Sequence, residues 1–102
     1  MGINLWVMKV KDKLLKIIQH YGISKQLKYI HSEYFELDEA ILSAECYKEM
    51  TLGDKIHITE EIADVMVMLK QFQYYYGITD EQIEEIMNYK IDRQLDRISE
   101  EE

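Results

Sequence analysis

Residues 76–83 read Tyr76-Gly77-Ile78-Thr79-Asp80-Glu81-Gln82-Ile83, and a near copy of their first half stands at Tyr21-Gly22-Ile23-Ser24. Glycine just past a helix end supplies the left-handed residue of a C-terminal cap. A Ser or Thr two residues later can cap the helix that follows. Thr79 and Gln82 have the spacing of a capping box, and Ile78 and Ile83 that of a hydrophobic staple. Both segments therefore read as tight helix–helix turns. Their likeness is shared turn chemistry rather than a repeat, because nothing else matches at that spacing.

Worked outward from these turns, the chain divides into four helices. The first runs from about Asn4 to Tyr21, with Val7, Val10, Leu14, Ile17, Ile18 and Tyr21 as its apolar stripe and lysines outside it. The second runs from Ser24 to about Ala44. Residues 45–58, with Gly53 and mixed polarity, read as a loop or short helix. The third spans Thr59–Tyr76, and the fourth Thr79 to about Ser99, with Glu100-Glu101-Glu102 fraying beyond it. The chain has no proline, and no alternating apolar run survives against the helical spacing, so the fold class is all-α.

The third helix is apolar almost all round: Ile62, Ala63, Val65, Met66, Val67, Met68, Leu69, Phe72, Tyr75 and Tyr76. Such a helix is buried. In a chain of 102 residues, which makes one domain, three other helices do not suffice to cover it. A dimer or higher assembly packed on this helix or its neighbours is expected.

Charge narrows the partners. The formal net charge is −8, the wrong sign for binding a nucleic acid polymer. It is also uneven: six lysines against one acid in residues 1–30, then 19 acids against six bases. One cysteine, Cys46, rules out an intramolecular disulfide framework and a multi-cysteine zinc site, and reads as a partly buried thiol. No apolar run is long enough to span a membrane. Lysines interrupt the N-terminus from Lys9 onward with no small-residue cleavage site after them, so the expected location is cytoplasmic.

Two pairs of acids stand out against this background. Glu33 and Glu36 are three apart on the second helix; Glu61 and Asp64 are three apart on the third, with Glu60 beside them. Residues at that spacing share one side of a helix. Asp64 lies inside Ile62-Ala63-Asp64-Val65-Met66-Val67-Met68-Leu69, where a lone carboxylate suffers desolvation unless something such as Lys70 or an arginine meets it. Glu33 borders the stripe of Leu27, Ile30, Tyr34, Leu37 and Ile41, flanked by Ala40 and Ala44, small residues that leave room for a ligand. Facing each other, the pairs form a four-carboxylate cluster whose mutual repulsion calls for cations. All-oxygen ligands suit Mg²⁺, Mn²⁺ or Ca²⁺. A di-iron carboxylate site needs Glu-x-x-His elements, and no histidine here has Glu three residues before it.

The combination Glu33-x-x-Glu36, 24 intervening residues, then Glu61-x-x-Asp64 resembles the MazG-like family of all-α nucleoside triphosphate pyrophosphohydrolases. The likeness covers about residues 24–98 of a single domain spanning 1–102. It implies a four-helix bundle of the all-α NTP pyrophosphatase type, assembled as a dimer or a dimer of dimers. It also implies hydrolysis of a (d)NTP between the α and β phosphates, with Glu33, Glu36, Glu61 and Asp64 as catalytic metal ligands for Mg²⁺, or Mn²⁺ in its place. Many relatives carry a second acid just before the first motif glutamate, where this chain has Ser32. Many also carry a lysine four before it, where Tyr29 stands with Lys28 one position off.

A triphosphate needs positive charge beyond the metal. Lys90, Arg93 and Arg97 lie along one edge of the fourth helix's apolar face of Ile83, Met87, Ile91, Leu95 and Ile98. Arginines one turn apart suit phosphate oxygens. Relatives commonly carry a basic residue in this helix, which favours Lys90 and Arg93 as substrate-binding residues. His20, His31 and His57 are scattered, with His31 nearest a motif; Trp6 and the tyrosines could stack a base. Two rival readings remain: a same-fold phosphoribosyl-ATP pyrophosphohydrolase, and a non-catalytic helical dimerisation or adaptor module.

Overall fold

The computed structural model describes residues 8–46 and 49–102. Four α-helices and, among the described residues, no strand make up the fold: α1 (Val10–Tyr21), α2 (Ile23–Glu45), α3 (Leu52–Tyr75) and α4 (Asp80–Glu101).

The two glycine turns are both present, but they work differently. Gly77, at φ 69°, closes α3 in a Schellman arrangement: Gly77 N–H donates to Tyr74 O and Ile78 N–H to Gln73 O, each at 3.0 Å. Thr79 then caps α4, with the reciprocal Gln82 contact of a capping box. At the first turn Gly22 (φ 89°, ψ 154°) is the whole connection, since it ends α1 and precedes α2 directly. A one-residue joint puts Ser24 inside the first turn of α2, so Ser24 does not cap that helix.

Two helix starts differ from the sequence reading by more than one residue. Lys9 is extended (φ −67°, ψ 152°), so α1 begins at Val10; residues 1–7, with Asn4, Trp6 and Val7, lie outside the described residues. Helix α3 begins at Leu52 rather than Thr59 because Thr51 and Asp54 form a second capping box. Asp54 N–H donates to Thr51 Oγ1 at 3.1 Å, and Thr51 N–H to Asp54 Oδ2 at 3.0 Å. Thr59, now mid-helix, donates its hydroxyl to Lys55 O at 2.7 Å.

Helices α1, α2 and α3 pack together around Leu14, Ile18, Ala40, Ala44 and Met68. Ala40 and Ala44 are buried, so their small size lets helices approach rather than leaving a vacancy for a ligand. Cys46 is exposed, not partly buried. Helix α4 buries none of its residues and scarcely touches the other three helices. The molecule is accordingly elongated, 59 × 33 × 27 Å. Ile86, Met87, Ile91, Leu95 and Ile98 are each at least half exposed, and so is much of the apolar circumference of α3, including Met66 and Leu69. Within one chain α3 therefore keeps only Met68, Gln71 and Gln73 fully covered.

One polar knot fixes where α4 leaves the body. The Asp80 carboxylate accepts from Lys70 Nζ at 2.7 Å, Gln73 Nε2 at 2.9 Å and the Tyr74 hydroxyl at 2.9 Å. Gln73 Nε2 also reaches Ile78 O at 3.1 Å. These donors, Lys70 foremost, hold the Asp80 carboxyl down at about 2.

Candidate metal centre

The facing sides of α2 and α3 bring together the four acids that the sequence pairs suggest. Glu33, Glu36, Glu61 and Asp64 each offer a carboxylate oxygen, and these oxygens all lie within 4.8 Å of one another. The geometry follows from spacing: each pair covers one helical turn, and antiparallel packing of the two helices superposes the turns.

Burial is uneven, and not in the order that the sequence suggests. Asp64, despite its apolar neighbours in sequence, is exposed, whereas Glu33 is only 7% exposed. The apolar residues beside Asp64 point around the other sides of α3, many of them outward. Lys70 does not meet Asp64; its partner is Asp80. Glu60 lies outside the cluster.

Two carboxylate oxygens in the cluster, Glu33 Oε2 and Glu61 Oε2, are buried and have no hydrogen-bond partner. Burying such an oxygen without a partner costs several times what a hydrogen bond contributes. Burial pushes the Glu33 carboxyl up from its ordinary value. The hydroxyl of Tyr29 opposes this, and the charges of Glu36 and Asp64 add to it. Tyr29 in turn is raised, chiefly by its interaction with Glu33. Four like charges around two unpartnered buried oxygens fit a hard divalent cation, which takes carboxylate oxygens as ligands.

The sequence reading passed over some residues around this centre. His57 Nε2 lies 3.4 Å from Glu61 Oε1, a contact between residues four apart on α3 that helical spacing alone could have flagged. A cavity of about 430 Å³ opens beside the acids, with Glu33 and Asp64 among its lining residues. Gln26 and Gln71 also line it and are joined by a buried 2.8 Å hydrogen bond. Their signal, glutamine two turns from a motif acid, is visible only once the register of α2 against α3 is known.

The chain's two expected substrate-binding residues are not brought to the cluster. Lys90 and Arg93 are exposed on α4, no residue of which lines the cavity. The Arg93 guanidinium instead stands 6.0 Å from the ring centroid of Tyr89. His31 is exposed and does not line the cavity. No described helix is long and apolar enough to cross a membrane. Comparison with known proteins finds no matching family model, no matching curated protein and no matching solved structure.

Proposed function

We propose that this protein is a Mg²⁺-dependent nucleotide pyrophosphohydrolase of the MazG-like kind. It cleaves a (d)NTP between the α and β phosphates to give the (d)NMP and pyrophosphate, and so serves nucleotide-pool housekeeping in the cytoplasm. The observation that carries the reading is the four-carboxylate cluster with two buried, unpartnered oxygens beside an open cavity. Acids alone repel a triphosphate; Mg²⁺ held by Glu33, Glu36, Glu61 and Asp64 would reverse the local sign, offset phosphate charge and lower the pKa of a water.

The remaining chemistry belongs to the chain. Glu33, Glu36, Glu61 and Asp64 hold the cation from two helices, with Glu61 steadied by His57. The exposed apolar side of α4 supports a homodimer, or a dimer of dimers, in which α4 of one copy covers α2 and α3 of another. In that arrangement Lys90 and Arg93 supply phosphate-binding charge to the partner's site.

The test is a panel of NTPs and dNTPs with Mg²⁺, scoring pyrophosphate against orthophosphate. Pyrophosphate release that disappears with EDTA is expected. Release of orthophosphate alone, or no turnover and no stabilisation by Mg²⁺, removes the reading; the latter pair of results favours an adaptor.

A further inference from the structure

The cavity beside the acids holds a second chemistry. Its walls include Tyr21, Tyr29, Val67 and Met68, and its volume of about 430 Å³ falls in the range of small-molecule sites. Two primary amides lie against these apolar walls, Gln26 at 5% exposure and Gln71 at 1%. Buried amides in such surroundings are costly unless their polar atoms are used.

Those atoms form a directional chain. Gln71 Nε2 lies 3.6 Å from the Met68 sulfur, and Gln26 Nε2 donates to Gln71 Oε1 at 2.8 Å. A thioether accepts weakly and has no proton to give. Turning the Gln71 amide over would set its oxygen against that sulfur, so Met68 fixes the direction of the chain. Gln71 must then accept from Gln26, which puts Gln26 Oε1 at the open end of the chain, and it is not among the buried atoms of this structure that lack a partner. The cavity thus presents one oriented carbonyl acceptor.

Position supplies the rest. Gln26 precedes Glu33 by seven residues on α2, and Gln71 follows Asp64 by seven on α3. Two turns place the amides on the same helix faces as the acids, at roughly 10 Å along the axis. That is about the span of a nucleoside from its base edge to its 5′ phosphorus.

We propose that this cavity is a base subsite that selects a planar heterocycle carrying an N–H donor on its reading edge, with Gln26 Oε1 as the acceptor and Gln71 and Met68 as positioning residues. The inference rests on the nucleotide reading for the identity of the ligand, but base binding can be tested without hydrolysis.

The experiment titrates the full chain, without divalent metal, with cytidine, uridine and pyrimidin-2-one riboside. The last keeps the ring and sugar but lacks any N–H donor on that edge. Binding is followed by amide chemical shifts into the millimolar range. Cytidine and uridine are expected to give saturable shifts at residues lining the cavity, with the edge-blank riboside bound roughly tenfold more weakly, the loss of one neutral hydrogen bond. The double variant Gln26→Leu, Gln71→Leu removes both amides together and leaves no orphan. It is expected to bind all three alike while keeping its helical circular dichroism. Equal binding of the edge-blank riboside by the unmodified protein overturns the proposal, as does the absence of saturable shifts for every nucleoside. Selective nucleoside binding without triphosphate turnover would sink the hydrolase reading alone. Turnover without base discrimination would sink the base subsite alone.

Discussion

His57 Nε2 stands 3.4 Å from Glu61 Oε1, so one of the four clustered carboxylates is already steered by a neighbour on its own helix. Removing a group that orients a metal ligand commonly costs roughly 10–100-fold in metal affinity. His57→Ala is expected to weaken Mn²⁺ binding about tenfold, the low end of that range because His57 is largely exposed. Calorimetric titration of the nucleotide-free protein checks it, and an unchanged affinity would reduce the contact to a surface pairing.

Asp64→Asn is expected to abolish pyrophosphate release and leave the helices intact. The amide is nearly isosteric but lacks the charge a hard cation requires. With one of four clustered charges removed, the metal-free variant is expected to melt slightly higher than the parent; the parent's Tm is expected to rise with Mg²⁺ if the cation binds the folded state, and the variant's is not. Near-parental turnover at saturating Mg²⁺ would show that Asp64 is not a ligand.

The base of α4 carries its own pH dependence. Asp80 is held at about 2 against an ordinary value of 3.8. Its folded carboxyl is therefore the stronger acid, and the stability it contributes is fully present above about 4 and lost as pH falls toward 2. Asp80→Asn is expected to lower Tm at neutral pH, with the gap to the parent closing across that acidic window. A constant gap down to pH 2 would place the effect in packing rather than in the charge that Lys70, Gln73 and Tyr74 hold.

Arg93 separates the two roles open to α4. As a phosphate ligand, its replacement by alanine weakens triphosphate affinity by about 1.5–3 kcal/mol, the range for a hydrogen bond to a charged group. Arg93→Lys recovers only part of that, since the planar fork is lost. Metal binding without nucleotide barely changes. Because Arg93 would serve the partner's site, mixing Arg93→Ala with Asp64→Asn is expected to restore some turnover: a mixed dimer keeps one site with both an intact cluster and an intact arginine. No restoration after subunit exchange, or a lower Tm with unchanged KM and kcat, would assign Arg93 to its own helix, where Tyr89 is its neighbour.

The all-α class and the four clustered acids were legible because local rules carry them. Thr79 with Gln82 names a helix start, Gly77 names a helix end, and acids three apart share a face whatever surrounds them. The start of α3 was equally local, since Thr51 and Asp54 obey the same capping rule as Thr79 and Gln82, but Gly53 between them and the mixed polarity after it obscured the pattern. Burial was a different matter. Asp64 sits among apolar residues in sequence and Glu33 only beside them, yet Glu33 is the covered one. Sequence neighbours of a helical residue lie about 100° to either side of it, and which side is covered depends on the partner helix. For the same reason Gln26 and Gln71, 45 residues apart, met only in the fold, and Lys90 and Arg93, on a helix that leaves the body, did not reach the acids within one chain.

The bare apolar side of α4 ties folding to the amount of protein present. A face with Met87, Ile91, Leu95 and Ile98 open to water contributes little to a lone chain, because hydrophobic stabilisation follows the area removed from water. In the proposed assembly that area is removed by a second copy, so stability obeys mass action. Unfolding temperature is then expected to climb with protein concentration, and the proposed activity to weaken on dilution with the four clustered acids untouched. A melting temperature that does not move over a hundredfold dilution would mean that α4 is stable as it stands.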